Sequence, residues 1–449
     1  MTEEIKLRKN LPSSMLKNYN NRVVSAAEAV RAIKSGDNVA VHSNCAFPRT
    51  LIDALVKRKE ELRDVQLIHA LSVGELPYLQ PGMREYFNHR SFFMGGEARR
   101  AVGEGRADFI PLYLYEFPIL VRRGELKINV VLIHLSPPDE HGFCSYGTEV
   151  GLIKTAAEHA DLIIAQVNPN MPRALGDSFI HISRLDYIVE VDEEILELPQ
   201  GAKNLTPEMA AAYEQIGKNI ADMIEDGSTL QLGIGVIPDN VLKYLDGKRD
   251  LGLHSETFSD GVIELVEKGI LTNTKKGIHE GKIIAGFVLG TQKLYHFIDN
   301  NPMIEFHPQE YVNDPFIIAK NKKMVAINSA LEVDITGQVC SDSIGPKLYS
   351  GFGGQVDFIR GAARSEGGKP IIALPATTKN GTISRIMPQL KPGAGVVTNR
   401  ADVHYVVTEF GVAQLWGKPI SERVRSLIAI ADPRFRDELE AYAKSVNYI

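Results

Sequence analysis

The chain has only three cysteines, Cys45, Cys144 and Cys340, widely separated and without a CxxC pair. They cannot form a disulfide framework, which excludes a small secreted disulfide scaffold and fits a reducing compartment; inert buried thiols are expected. No run of about 18 apolar residues occurs, and residues 1–21 are charged and polar, so neither a membrane span nor a secretory signal is written here. Glu3 and Glu4 argue against an acid-poor targeting peptide, and a cytoplasmic protein is expected. Formal net charge is −6 with no dense Lys/Arg block, so the electrostatic footprint of a nucleic-acid binder is missing. Also lacking are a GxSxG elbow, an HExxH helix and a GxxxxGKS/T loop. These absences leave no visible serine nucleophile, no metal site and no P-loop.

What is present is an ordinary globular composition, 44% apolar and 24% charged, spread over 449 residues. That length suggests two cores rather than one. Apolar runs of strand length (NVAVHS, VQLIHAL, NVVLIHLSP, DLIIAQVN, TLQLGIG, MVAINSA, KPIIALP, HYVVTEFG) alternate with helix-period stretches, the pattern of an α/β protein with mostly parallel sheets. The two halves echo one another. Helix SAAEAVRAIKSG, strand NVAVHS, a turn ending at Pro48, helix TLIDALVKRKEEL and strand VQLIHALSVG are repeated as EQIGKNIADMIEDG, TLQLGIG, a turn ending at Pro238, NVLKYLDGK and LGLHSETFSDG. Each second strand carries a histidine near its end, His69 and His254, and a duplicated α/β domain is the reading. A Pro/Gly-containing break at Leu196 to Asn204 sets the expected domains at 1–198 and 199–449.

Ligands in such folds bind beyond the carboxyl ends of the strands. Two glycine clusters lie there. QLGIGVIPD (Gln231 to Asp239) lets backbone amides approach a phosphate, or is simply a tight packing turn; Pro238 breaks the GxGxxG fingerprint. SGFGGQVDF (Ser350 to Phe358), through Gly351, Gly353 and Gly354, could present N–H groups to a developing oxyanion, or is a turn before an amphipathic segment. The loops 136–147 and 373–386 also follow apolar strands. Glu256 ends the second strand of the second half, beside the GIGVIP turn. A random glutamate there would be a cap or an ion-pair partner, but this place at the mouth of an α/β cleft suits a carboxylate acting as base or nucleophile.

With AAEAVRAIKSGDNVAVH, SPPDEHGFCS, GDSFIH, EDGSTLQLGIGVIPD, LGLHSETFSDGV, FVLGTQKLY, INSALEVDITGQVCSDSIG, SGFGGQVDFIRGA and YVVTEFGVAQLWGK, the chain resembles the 4-hydroxybutyrate CoA-transferase branch of the acetyl-CoA hydrolase/transferase family over nearly its whole length. The resemblance implies two related open α/β/α domains, with coenzyme A and substrate in the cleft between them. It makes Glu256 of the HSE motif the nucleophile and assigns coenzyme A contacts to Gly233, Ile234, Gly235, Val236 and Ile237, to Gly353 and Gly354, and to Ala376 of the LPAT loop. It gives the oxyanion to Asn328 and the Gly354 amide, and to Asp260 a loop-fixing role. It further implies no tightly bound cofactor, acyl-CoA and short-chain acids as substrates, and a homodimer. The expected reaction is transfer of CoA between short-chain carboxylic acids, acetate with 4-hydroxybutyrate or butyrate, through an acyl-glutamyl anhydride and a glutamyl-CoA thioester. A thioester hydrolase on the same scaffold and a non-catalytic sensor of phosphate ligands are the alternatives.

Overall fold

A computed structural model describes residues 8, 11–198, 205–378 and 380–449. Most of the expected break, residues 199–204, lies outside the described residues. The chain forms two compact units, Met1–Pro199 with Ile284–Val312, and Gln200–Ile283 with Asn313–Ile449.

In the first unit seven strands make one parallel sheet. They are β1 (Asn38–Val41), β2 (Val65–His69), β3 (Phe87–Ser91), β4 (Asp108–Phe109), β5 (Val130–Leu135), β6 (Leu162–Val167) and β7 (Tyr187–Glu190), in the order β4-β3-β2-β1-β5-β6-β7. All six residues of β5 are buried, as expected of a strand covered on both faces. Helix α1 (Arg49–Lys57) buries Leu51, Ile52 and Leu55 in a core shared with Val39, Val41, Leu67 and Leu132. A second helix, α2 (Ile153–His159), follows β5.

The second unit repeats the plan. Helix α3 (Pro207–Met223) starts with Thr206 accepting the Met209 N–H and with Pro207, which has no N–H to leave orphaned, in its first turn. Then come β8 (Thr229–Gln231), α4 (Val236–Leu242), β9 (Gly252–Phe258), α5 (Gly261–Glu267), β10 (Met324–Ser329), α6 (Gln355–Arg364), β11 (Lys369–Ala373), β12 (Tyr405–Thr408) and β13 (Gly411–Gln414). Six strands lie side by side as β9-β8-β10-β11-β12-β13, parallel except for the β12–β13 hairpin. The expected open, mostly parallel α/β architecture is therefore present in each unit. The three cysteines are buried. Among the described residues no helix is long and apolar enough to cross a membrane.

Two local expectations change. The amphipathic stretch 25–36 is helical only over Ala26–Ala29, with a 3-10 turn at Val30–Ala32, because Ile33 goes extended and Asp37 captures the Lys34 N–H in a turn. The two histidines also do not correspond. Asn38 faces Gln66 in the first sheet as Thr229 faces Gly252 in the second, so His254 matches Ile68, while His69 matches Ser255. A one-residue offset on a strand puts the two rings on opposite faces.

Candidate active site

The site is built at the carboxyl end of the second unit's sheet. Val325 faces Leu230, and Ala326 faces Gln231. Extending this register past β8 places Gly233 between Glu256 and Asn328, on three neighbouring strand paths. Glu256 and Asn328 are thus level but two strand spacings apart, about 10 Å. Gly233, Gly235 and the intervening Ile234 form the open turn into α4, and Gly235 has φ +116°, a conformation that glycine adopts without strain. Val236 and Ile237 begin the helix itself.

Glu256 keeps part of its surface open to solvent. Its carboxyl is nevertheless surrounded by enough protein that burial, the largest influence, pushes its pKa up to about 7, against hydrogen bonds from Asn313 and the Gly354 amide that pull it down. Asn313 Nδ2 donates to Glu256 Oε2 at 2.8 Å. Among the described residues no lysine or arginine forms a salt bridge with Glu256.

Gly354 is glycine because of what touches it. A Cβ there would lie 2.3 Å from Glu256 Oε2 and 2.4 Å from Asn313 Nδ2. Gly353, with φ +55°, makes the turn that brings the Gly354 N–H to the carboxylate, and α6 starts immediately afterwards.

The other expected residues are placed as follows. Asn328 Nδ2 donates to Gln231 Oε1 at 2.9 Å, so one of its two amide hydrogens is engaged away from Glu256. Ala376 is fully buried; its N–H donates to Glu409 Oε2 at 2.8 Å, and its carbonyl accepts from the Arg385 N–H. Its methyl group is the one part not engaged in a hydrogen bond, and it lies buried on a loop held by Glu409. Asp260 is the N-cap residue of α5. Sequence reasoning missed Asn313 and Glu409. Glu409 stood inside the quoted YVVTEFG motif, whereas Asn313 is 57 residues from Glu256 and in no motif.

The first unit holds no counterpart of this chemistry at the matching positions. By the strand register, Ala70 stands where Glu256 does, Ile133 where Asn328 does, and His42 where Gly233 opens the second site. His42 is fully buried, with Nε2 2.7 Å from the Glu149 carbonyl oxygen, and burial pushes its pKa down to about 4. Beside Ala70 there is a void of only about 10 Å³, lined among others by Phe92, Phe117 and Leu152. Such a space holds one water at most.

The molecule is thus a duplicated open α/β protein whose second half carries, at the carboxyl end of its sheet, a largely enclosed carboxyl of raised pKa, Glu256. Residues 8–198 match the acetyl-CoA hydrolase/transferase N-terminal domain and residues 290–443 the corresponding C-terminal domain, and the chain belongs to the acetyl-CoA hydrolase/transferase family. It is 50% identical to the 4-hydroxybutyrate coenzyme A transferase of Clostridium kluyveri over 94% of this chain and 97% of that protein. It is 46% identical to the succinyl-CoA:acetate/propanoyl-CoA:succinate CoA transferase of Fasciola hepatica, over 92% of this chain and 85% of that one. The crystal structure of 4-hydroxybutyrate CoA-transferase from Porphyromonas gingivalis superposes with a TM-score of 0.82 at 40% identity, covering 96% of this chain and 99% of its own.

Two outcomes are expected. The Glu256 carboxyl ionises near 4.5 when unfolded and near 7 when folded, so between these values the native state binds the extra proton and stability falls as pH rises. Urea unfolding should therefore find Glu256→Gln more stable than the parent by about 2 kcal/mol above pH 7, allowing for solvent at the carboxyl, with the gain vanishing near pH 4.5. Gly354→Ala should fold, as judged by circular dichroism, because its methyl meets only side-chain ends. It should lose activity by about 100-fold or more, as expected when an oxyanion donor and the nucleophile are displaced together.

Proposed function

We propose that the protein is a CoA-transferase that moves coenzyme A between short-chain carboxylic acids, with Glu256 as the covalent nucleophile. The observation that carries this reading is the setting of the Glu256 carboxylate: raised in basicity, salt-bridged to no cation among the described residues, and favoured in its charged form by N–H groups of Asn313 and Gly354. A carboxylate tightly paired with arginine would be stabilised in the ground state and slow to attack.

The chemistry runs in two half-reactions. A Glu256 oxygen attacks the thioester carbonyl of acyl-CoA, the C–S bond breaks, and an acyl-glutamyl anhydride and the CoA thiolate result. The thiolate then attacks the glutamyl carbonyl carbon, expelling the acyl group as a free carboxylate and leaving a glutamyl-CoA thioester. An incoming acid reverses both steps, so the thioester free energy is not lost to water. In the thiolate attack negative charge grows on Glu256's own oxygen, where Asn313 Nδ2 and the Gly354 amide already point. In the attack on acyl-CoA it grows on the substrate's oxygen, for which the second amide hydrogen of Asn328 and the amides of the Gly233–Val236 turn are the donors at hand. Gly233 to Ile237, Gly353, Gly354 and the Ala376 methyl would line the coenzyme A path. Coenzyme A is here a substrate rather than a resident cofactor. A homodimer in the cytoplasm completes the reading.

The acids are read from likeness. Two relatives carry 4-hydroxybutyrate in their names and a third acetate, propanoate and succinate, which supports exchange between acetate and 4-hydroxybutyrate or butyrate. A panel of acyl donors and acceptors on purified protein tests this choice, and acyl-CoA loss that proceeds equally without an acceptor would instead mean hydrolysis.

Incubation with acyl-CoA followed by intact-mass measurement should reveal a hydroxylamine-labile CoA adduct that maps to Glu256 and is missing from Glu256→Gln. Glu256→Asp, one methylene shorter, should keep little turnover. For the parent, kcat/KM should drop tenfold per pH unit below about 7, since only the ionised carboxylate attacks. Near-normal turnover in Glu256→Asp, or a flat profile from pH 5 to 8, would oppose direct attack.

A further inference from the structure

Asn313 stands between two carboxylates, both approached by the same nitrogen. Its Nδ2 is 2.8 Å from Glu256 Oε2 and 3.4 Å from Asp357 Oδ2. Ionised carboxylates only accept hydrogen bonds, and a carboxamide carries two hydrogens on nitrogen and none on oxygen. Serving both carboxylates therefore fixes which way round the Asn313 amide lies. We infer that Asp357 is a positioning residue for the nucleophile: it acts through Asn313, locking the carboxamide with its N–H2 edge, not its oxygen, toward Glu256. The inference rests on the reading of Glu256 as nucleophile.

The surrounding elements are built to hold this arrangement. Asp357 is 2% exposed and lies in the first turn of α6, where the helix field favours a negative charge. Three residues earlier the same segment supplies the Gly354 amide, so one turn of chain delivers both a direct and an indirect hold on Glu256. Asn313 is fully buried just ahead of the short helix Pro315–Ile318, whose N-cap Asp314 accepts the Phe316 N–H. That helix packs against α6 at Gly361, where a Cβ would lie 2.4 Å from Ile318 Cγ2. The spacing of Asn313 from Asp357 is thus set by backbone-level contact.

Without the Asp357 acceptor the carboxamide loses one of the two carboxylates that favour its N–H2 edge here, and in the fraction that turns over its oxygen is set against Glu256 Oε2. Repulsion then favours the protonated, unreactive acid. Charged or titratable groups on the elements around Glu256 include Asp357 on α6, Asp239 on α4, Asp260 at the start of α5 and, two residues away on its own strand, the buried His254, whose ring lies 6.3 Å from that of Phe358. The two consequences of losing Asp357 have opposite signs. Removing a negative charge by itself lowers the Glu256 pKa, whereas releasing the amide raises it.

The test is a double-mutant cycle in the full-length enzyme. Asp357→Ala, which removes the acceptor, should lower kcat by about tenfold, leave KM for acyl-CoA within about twofold, and move the acid limb of kcat/KM upward in pH. In an Asn313→Ala background the same substitution should add less than about twofold, because its intermediary is gone. Asp357→Glu should recover part of kcat. An acid limb that stays put or moves down, or effects that add fully in the cycle, would overturn the inference while leaving the adduct on parental Glu256 intact. Absence of that adduct in the parent would remove the nucleophile reading and this inference with it. Asp357→Asn, whose amide oxygen can still accept from Asn313, should stay nearer the parent in kcat, and the urea midpoint of Asp357→Ala separates loss of fold from loss of positioning.

Discussion

The Glu256 carboxyl is poised between two opposed influences: burial, which disfavours its charge, and the N–H groups of Asn313 and Gly354, which favour it. The rest of the site follows from that balance. With a salt-bridged cation the acid would be a strong anion and a poor nucleophile, and with burial alone it would be a neutral acid and no nucleophile at all. Two neutral donors leave it near half-ionised around neutrality. In the proposed mechanism the same donors are in place when a tetrahedral oxygen forms at that position, so they need not reorganise during reaction. Gly354 meets both demands because a backbone amide needs no side chain, and any side chain there would occupy the space of the oxygen it serves.

Duplication explains why the scaffold could specialise. Each unit has a βαβ unit whose second strand ends at a potential ligand site, yet only one is chemically equipped. Ala70 offers no side-chain oxygen, His42 fills the place that Gly233 leaves open, and the residual void is about 10 Å³. His42 and Glu149 form a buried pair in which burial pushes the imidazole down to about 4 and the carboxyl up to about 7, so both are mainly neutral near pH 6. The first unit thus uses its polar residues at the strand ends to hold structure, while the second sets a carboxyl of raised pKa there.

Much of this was legible in the chain, and the boundary of legibility has physical causes. Strands buried on both faces write themselves as apolar runs, and a glycine turn at a strand end announces an approach of backbone to ligand; these gave the sheets, the Gly233–Ile237 turn and Glu256. Position in the local unit, rather than residue type, made Glu256 stand out. Asn313 was invisible because it reaches Glu256 across 57 residues, and a buried asparagine before a short helix has no pattern of its own. Asn328 came from the resemblance alone; its strand fixes its height, level with Glu256, and one of its amide hydrogens turns to Gln231. The histidine pair misled because chain spacing does not report register and one residue reverses a strand's face.

The glycines at α6 show how packing and chemistry constrain each other. Gly354 admits the Glu256 carboxylate at the start of the helix and Gly361 admits Ile318 two turns later, so the segment is anchored at two points by close approach rather than by long side chains. Between them lies Asp357, whose useful range is set by those anchors: a shift of half an ångström in α6 would change a 3.4 Å contact to Asn313 into none, or into a firm bond. A helix positioned by contacts of this kind has little freedom to drift, because interior packing does not yield gradually. Precision at the carboxylate is therefore inherited from a helix–helix contact that touches no reacting atom.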